Sequence, residues 1–110
     1  EFIPFMQSHG EMGSLGFLFD GFAYSTDFKT LNANSLKLLQ GVKLWIIECV
    51  GYKRKYPNHV VLDELLDFLD KINPERVIMI HMSHEIDYET FKQKLPSNVD
   101  IAFDGMKFVL

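Results

Sequence analysis

The hydrophobic pattern at the start of the chain predicts β-structure. Residues 2–7 and 14–19 are rich in aromatic and aliphatic side chains, and each segment predicts a strand. A third strand over 22–25 follows the dipeptide Asp20-Gly21, which suits a two-residue hairpin turn that requires positive φ. We therefore expect the chain to open with strands joined by tight turns.

After these strands the pattern changes to alternating helix and strand. Asn34 or Ser35 can cap a short helix over 35–39, which Gly41 ends. The run LWIIECV at 44–50 is apolar almost throughout, which is typical of a strand covered on both faces of a sheet. Such a strand implies that helices pack against the sheet.

The second half of the chain repeats the alternation of helix and strand. Apolar residues recur at helical spacing from His59 up to Asn73-Pro74, which predicts the longest helix. Three further elements are predicted after it: a buried strand over 76–81, a short helix over 88–94, and a terminal hairpin over 100–110 that turns at Asp104-Gly105. This order describes an α/β domain with a mixed sheet and flanking helices.

The hydrophobic content of the chain fits one packed unit, and its net charge limits the classes of partner that it can bind. The 110 residues are 47% hydrophobic, and they contain no repeat or long linker that would divide them, so residues 1–110 are treated as a single domain or half-domain. The formal net charge of −4 gives no electrostatic footprint for general nucleic-acid or anionic-membrane binding. The basic cluster at 53–55, flanked by Tyr52 and Tyr56, has two interpretations: a solvated surface loop, which is favoured, and a site that holds a phosphate and stacks a base.

The single cysteine and the absence of targeting signals bear on location. Cys49 lies inside an apolar run, which excludes an internal disulfide framework and fits a reducing compartment or a buried thiol. No apolar stretch approaches the ~20 residues of a membrane span, and the N-terminus lacks the features of a secretory signal. A cytoplasmic protein without membrane partners is expected.

Three residues with metal-binding side chains lie at predicted strand ends. His9 follows the first strand, Asp27 follows the strand within FAYST, and His81 follows the strand RVIMI. Because α/β sheets gather their sites at one edge, these side chains are candidates for a common site. Imidazole and carboxylate are donors suited to zinc, manganese or iron. Taken singly, each residue is more often structural, as a satisfied histidine or a turn or cap aspartate.

Ordered motifs along nearly the whole chain add a resemblance. They are QSHGEMGSLGFLF, AYSTD, a strand ending in Glu48, YPNHVVLDELL, IHMSHEIDY and FDGM. Together they resemble the C-terminal half of metallo-β-lactamase-fold hydrolases, in the subgroup that contains the cyclic phosphodiesterase of bacterial phosphonate breakdown. The resemblance implies the C-terminal half of an αββα sandwich.

The resemblance also implies a metal centre and a reaction. His9 would complete the histidine set of a first divalent ion, Asp27 would bridge two ions, and His81 would bind the second. The ions, expected to be zinc, manganese or iron, would activate a bridging hydroxide for attack on a phosphodiester. The implied activity is that of a metal-dependent phosphodiesterase, with Asp27 also counted as catalytic.

His59 matches the histidine that this subgroup places beside a phosphate oxygen. It would act as a general acid or as an electrostatic clamp in the transition state. The family pattern around it is His-Pro-Thr-His, whereas residues 56–59 here are Tyr-Pro-Asn-His, so only the final histidine remains. The alternative is a residue at the start of a helix that faces solvent.

Three further residues are expected around the metal centre. His84 is interpreted as a partner of a ligand or as a group facing the substrate. Asp87 is either a similar partner or the cap of the helix that begins at Tyr88. Glu48 lies at a strand end where relatives usually carry Asp, and it either orients a ligand or faces a loop.

The His-x-His-x-Asp-His segment of the family, which supplies most ligands to both ions, is absent from the 110 residues. The chain alone is therefore expected to hold about half a site and to be inactive by itself. Its expected partners are a small phosphodiester and either a missing N-terminal half of the same protein or a second copy in a homodimer. The alternatives are a non-catalytic half-domain that serves as an assembly module, and a nuclease that processes RNA 3′ ends.

Overall fold

The computed structural model describes residues 2–51, 59–80 and 87–107. In these residues seven strands form one mixed sheet with the spatial order β4-β1-β2-β3-β5-β6-β7. The elements in chain order are β1 (Phe2–His9), β2 (Met12–Phe19), β3 (Phe22–Ser25), β4 (Thr30–Leu31), α1 (Ala33–Leu38), β5 (Leu44–Glu48), α2 (Leu62–Ile72), β6 (Arg76–Ile80), α3 (Tyr88–Lys92) and β7 (Val99–Ile101).

Two tight hairpins build the antiparallel part of the sheet. In the first, β1 pairs with β2 from Phe2↔Phe19 to His9↔Met12, so both strands run further toward the turn than the sequence predicted. In the second, Asp20 and Gly21 adopt φ of 47° and 82° and connect β2 to β3. Positive φ at both central residues is what the predicted turn requires.

The remaining strands run parallel and bring their carboxyl ends to one edge of the sheet. β5 pairs in parallel with β3 through Ser25↔Ile47 and with β6 through Glu48↔Ile80. β1 has the same direction as β3, because each is antiparallel to β2. His9, Ser25 and Glu48 therefore end their strands at the same edge, where sites of α/β sheets form.

Helices cover one face of this sheet and enclose the main core. The face of α2 made by Leu62, Leu65, Phe68 and Ile72 is buried, as the helical spacing of apolar residues predicts. Phe68 meets the fully buried Trp45 edge-on, with ring centroids 6.2 Å apart. The predicted strand covered on both faces is confirmed, since all five residues of β5 are buried.

The opposite face of the sheet, which we call the outer face, is partly open. Its buried cluster comprises Leu44, Ile46 and Ile78. Toward β1 and β2 it exposes large apolar side chains, which the register places side by side on that face through Met6↔Leu15 and Phe17↔Tyr24. These residues are exposed by 53%, 52%, 40% and 39% in the order Met6, Leu15, Phe17, Tyr24, so the outer face carries more apolar surface than single scattered residues would.

Two predictions of local structure are corrected. The short helix begins at Ala33, because Asn32 provides the N-cap and its side chain accepts a hydrogen bond from the Ser35 amide at 2.8 Å. The terminal hairpin is wrong within the described residues: β7 pairs in parallel with β6, and residues 102–107 contain no strand. The turn at Asp104-Gly105 does form, with the Met106 amide donating to the Phe103 carbonyl at 3.0 Å. The alternating apolar residues of β7, Val99 and Ile101, are instead buried in a strand that pairs with β6.

Candidate metal and catalytic site

Three candidate ligands meet at the carboxyl edge of the sheet. His9 is the last residue of β1, Asp27 lies two residues beyond β3, and His59 lies three residues before α2. Each offers one ligand atom, and these atoms all lie within 4.8 Å of one another. The rings of His9 and His59 pack edge to face with centroids 5.1 Å apart. Residues that are 50 positions apart in sequence thus converge on one point.

A buried carboxylate organises this cluster. Glu48 has no exposed surface, and its Oε2 lies 3.0 Å from Nδ1 of His59. It also accepts hydrogen bonds from the backbone amides of Val60 at 3.0 Å and Phe28 at 3.2 Å. A carboxylate only accepts, so the Nδ1 atom of His59 carries the hydrogen of this bond. Burial of the charge is offset by these donors.

Asp27 has an unusual backbone conformation. Its φ of 52° lies in the left-handed region, which a residue with a β-carbon adopts rarely. The two residues after Asp27 are held by backbone hydrogen bonds to different strands. The Phe28 amide donates to Glu48 of β5, and the Lys29 amide donates to the carbonyl of Ser8 in β1 at 2.6 Å. This conformation lets the exposed Asp27 carboxylate leave the strand direction and approach His9 and His59.

A lysine holds the segment that carries His59. The Nζ atom of Lys29 donates to the His59 carbonyl at 3.2 Å and to Oε1 of Glu64 at 2.7 Å. Glu64 in turn accepts from the Val61 amide at 3.0 Å, which satisfies an N–H at the start of α2. The His59 segment is therefore tied to both β5 and α2 before the helix begins.

Most of the predicted site residues in the described part of the chain are brought together. His9, Asp27, Glu48 and His59 form one connected cluster, in which the Glu48 carboxylate contacts the ring of His59. Asp87 is exposed and directly precedes α3, where its carbonyl accepts from the Phe91 amide at 2.8 Å. His81 and His84, like the basic cluster at 53–55, lie outside the described residues.

Sequence reasoning missed the two side chains that brace the loop around Asp27. Lys29 follows that residue by two positions, and its type alone suggests a surface cation rather than a tie to His59. Gln7 precedes His9 by two positions and is buried, with its amide directed toward the Thr26 carbonyl. Only the alternation of β1, which places Gln7 on the same face as His9, could have indicated its direction.

The donors of this cluster fit a divalent metal ion. Imidazole nitrogen and carboxylate oxygen are the donors that zinc, manganese and iron share. A histidine whose second ring nitrogen is held by a carboxylate, as in the pair His59 and Glu48, is also common around metal centres. His9 and Asp27 each remain partly or largely open to solvent, which a ligand needs to enter.

The sequence matches a known family over most of its length. Residues 1–82 fit the model described as the beta-lactamase superfamily domain. The chain belongs to this family. The resemblance inferred from the motifs is thereby confirmed, and so is the α/β fold with a mixed sheet.

Solved structures agree with this assignment. The chain superposes on a diphosphatase of the PhnP family with a TM-score of 0.93 and 28% identity, covering 99% of this chain and 43% of that one. It also superposes on the short form of human tRNase Z (TM-score 0.73, 19% identity, 96% and 41% covered). A third match is the metallo-β-lactamase-fold protein YhfI of Bacillus subtilis, with a TM-score of 0.75 and 17% identity. The superposition covers 96% of this chain and 48% of that one. The last two support the fold alone.

A curated relative outside this set is an octanoyltransferase of Porphyromonas gingivalis. It is 24% identical over 108 residues, which are 97% of this chain and 22% of that protein. The chain thus spans about a fifth of this relative and less than half of each of the three solved structures.

In the described segments, no helix is both long and apolar enough to cross a membrane.

Proposed function

We propose that this chain supplies the C-terminal part of the active site of a metal-dependent phosphodiester hydrolase. The observation that carries the proposal is the placement of His59, which buried Glu48 holds within 4.8 Å of His9 and Asp27. A solvent-facing histidine at the start of a helix would need no buried carboxylate. Buried ionisable groups with a specific partner, such as Glu48 beside His59, are concentrated at functional sites.

His9 and Asp27 are proposed as metal ligands, together with His81. The centre would hold two divalent ions, with zinc, manganese and iron all compatible with the donors. Bound there, they would supply Lewis-acid activation of water and of the phosphoryl oxygens. Asp27 would supply negative charge to such a centre, because it is the only exposed anionic side chain in the described cluster.

His59 is proposed to transfer a proton to the leaving oxygen. Its Nδ1 is engaged with Glu48, so Nε2 is the ring nitrogen that faces the reaction. Glu48 keeps the ring in one tautomer and orientation and stabilises the positive charge of the protonated ring, as the aspartate of a hydrolytic triad does. The same geometry would allow His59 to act as a cation beside a phosphoryl oxygen.

A phosphodiester or diphosphate ester is the substrate class best supported. The likeness to a diphosphatase at 28% identity points to cleavage at phosphorus, whereas the likeness to tRNase Z at 19% shows only the fold. The net charge of −4 argues against a long polyanionic substrate. Octanoyl transfer is not carried over, since the match covers 22% of that protein.

The test is hydrolysis of bis(p-nitrophenyl) phosphate by the full-length protein, with metal content measured alongside. Asp27→Asn and His59→Ala are compared with Asp67→Asn, an exposed carboxylate on α2 whose side chain is 68% accessible. We expect Asp27→Asn to lose bound metal and activity. His59→Ala should keep its metal and lose activity by ~10²–10⁴-fold, while Asp67→Asn should match the wild type.

Each failure has a distinct meaning. Loss of metal in His59→Ala would make His59 a ligand and remove its proposed role as the acid. A full-length protein that binds no metal and cleaves no phosphodiester would contradict the proposal and favour the non-catalytic assembly module. Cleavage of a precursor RNA 3′ end with no action on small diesters would favour the nuclease.

A further inference from the structure

We infer that Gln7 is a positioning residue that sets the conformation of Asp27, an inference that rests on the proposed function. Gln7 is 3% exposed and is one of four buried polar residues among the described positions, with Ser25, Ser35 and Glu48. Its Nε2 donates to the Thr26 carbonyl at 3.2 Å and to Oγ of Ser14 at 3.1 Å. The first of these bonds reaches the residue next to Asp27.

The hydrogen bond of Gln7 acts on the peptide group that precedes Asp27. The Thr26 carbonyl belongs to that group. The rotation of the group about the N–Cα bond of Asp27 is the angle φ, which is 52°. The peptide group that follows Asp27 contains the Phe28 amide, which Glu48 holds at 3.2 Å. Two buried side chains thus hold the two peptide groups that flank Asp27. A left-handed conformation is uncommon for a residue with a β-carbon, and these two hydrogen bonds stabilise it at Asp27.

The sheet makes room for this arrangement at Gly16. A β-carbon added there would lie 2.6 Å from Oε1 of Gln7 and 2.3 Å from Cζ of Phe5. Gly16 pairs with Phe5 in the β1–β2 register, two positions along the strands from the Gln7↔Ser14 pair and on the same face of the sheet. A β-carbon at position 16 would therefore force the ring of Phe5 and the end of the Gln7 side chain to move.

Hydrogen bonding to the described residues accounts for only the nitrogen end of the Gln7 amide. Its Oε1 atom is buried and has no hydrogen-bond partner among the described residues, and an unsatisfied buried acceptor destabilises a fold relative to an apolar group of the same shape. The nitrogen end of the amide is directed at the Thr26 carbonyl, and Gln7 itself lies two residues before His9 in β1.

The experiment replaces Gln7 with methionine, which has a similar length and lacks the amide. Ser14→Ala is the matched control, because it removes the other acceptor of Nε2 and leaves the bond to Thr26 intact. In the full-length protein, cobalt(II) affinity and the cobalt absorption spectrum are measured together with thermal unfolding and hydrolysis. We expect Gln7→Met to bind cobalt ~10–100-fold more weakly and with an altered spectrum, whereas Ser14→Ala should match the wild type in both.

Wild-type affinity and an unchanged spectrum in Gln7→Met would overturn the inference, while the proposed function would stand if the wild type binds metal and hydrolyses the diester. A lower Tm with normal cobalt binding would likewise overturn it, since that result describes a purely structural residue. If Gln7→Met does not fold, Gln7→Glu gives the same comparison, because a carboxylate cannot donate to Thr26. A wild type without metal or activity would remove the proposed function and this inference together.

Discussion

The carboxylate of Glu48 and the imidazole of His59 are joined by a hydrogen bond of 3.0 Å between Oε2 and Nδ1. The same carboxylate accepts hydrogen bonds from the backbone amides of Phe28 and Val60. It therefore connects the loop after β3 to the segment before α2. A single buried anion therefore fixes the place of a histidine and of the loop that carries Asp27. This links the packing of β5 to the geometry of the site.

Replacement of Glu48 tests that link. In Glu48→Gln, one of the accepting oxygens becomes an NH₂ group that faces an N–H donor, so we expect a loss of about 1–3 kcal/mol in the free energy of unfolding and a lower kcat. Urea denaturation and diester hydrolysis measure the two effects. The control is Glu75→Gln, which changes an exposed carboxylate at the other end of the sheet. Equal stability of the two variants would show that Glu48 does not organise the site.

The role of His59 can be separated from simple binding by varying the leaving group. A general acid matters most when the leaving oxygen is a strong base, because that oxygen must be protonated as the bond breaks. We expect His59→Ala to lose more activity on an alkyl phosphodiester than on a p-nitrophenyl diester, with a difference of about 10-fold or more. Equal losses on both substrates would instead support an electrostatic role.

Lys29 offers a test of how the His59 segment is held. Its Nζ atom bonds the His59 carbonyl and Glu64, and its side chain is 19% exposed. Lys29→Met should reduce kcat without changing metal content and lower the stability by about 1 kcal/mol. Lys71→Met is the control, since its i,i+4 pair with Asp67 is exposed and such pairs contribute ~0.3–0.5 kcal/mol. A Lys29 variant with normal kcat would mean that Glu48 alone positions the ring.

Much of the fold follows from local patterns in the sequence. Asp20-Gly21 specifies its turn because both residues must adopt positive φ, and the apolar spacing of α2 specifies which side it buries. His9 and Asp27 could be predicted as neighbours because strand ends gather at one edge and because both lie in recognisable motifs. These features depend on residues close together in the chain.

Other features depend on contacts that no local pattern contains. The N-cap of α1 is Asn32 and not Asn34 or Ser35, although all three residue types can cap, because the Asn32 side chain accepts the Ser35 amide in the folded chain. The place of β7 beside β6 was missed, since its short apolar alternation fits a hairpin equally well. The contacts of Glu48 with Phe28 and His59 join separate loops, so their geometry emerged only in three dimensions.

The outer face leads to a prediction about association. It exposes Met6, Leu15 and Phe17 side by side, and such a surface on a sheet favours packing against another apolar layer. We propose that, in the 110-residue chain produced alone, this layer is the outer face of a second copy of the chain. Produced alone, the 110-residue chain is expected to self-associate in sedimentation velocity, in a manner that depends on its concentration.

The variant that tests this association carries Leu15→Lys and Phe17→Lys. Two charges on the outer face should shift the isolated chain toward the monomer, because desolvating an unpaired ammonium group opposes the packing. Met12→Lys is the matched control: Met12 is 71% exposed and lies on the same strand, but its side chain is on the opposite face, level with His9. If Met12→Lys dissociates the assembly and the outer-face variant does not, the contact surface is the edge that carries the site. If neither does, the apolar side chains of β2 take no part in association.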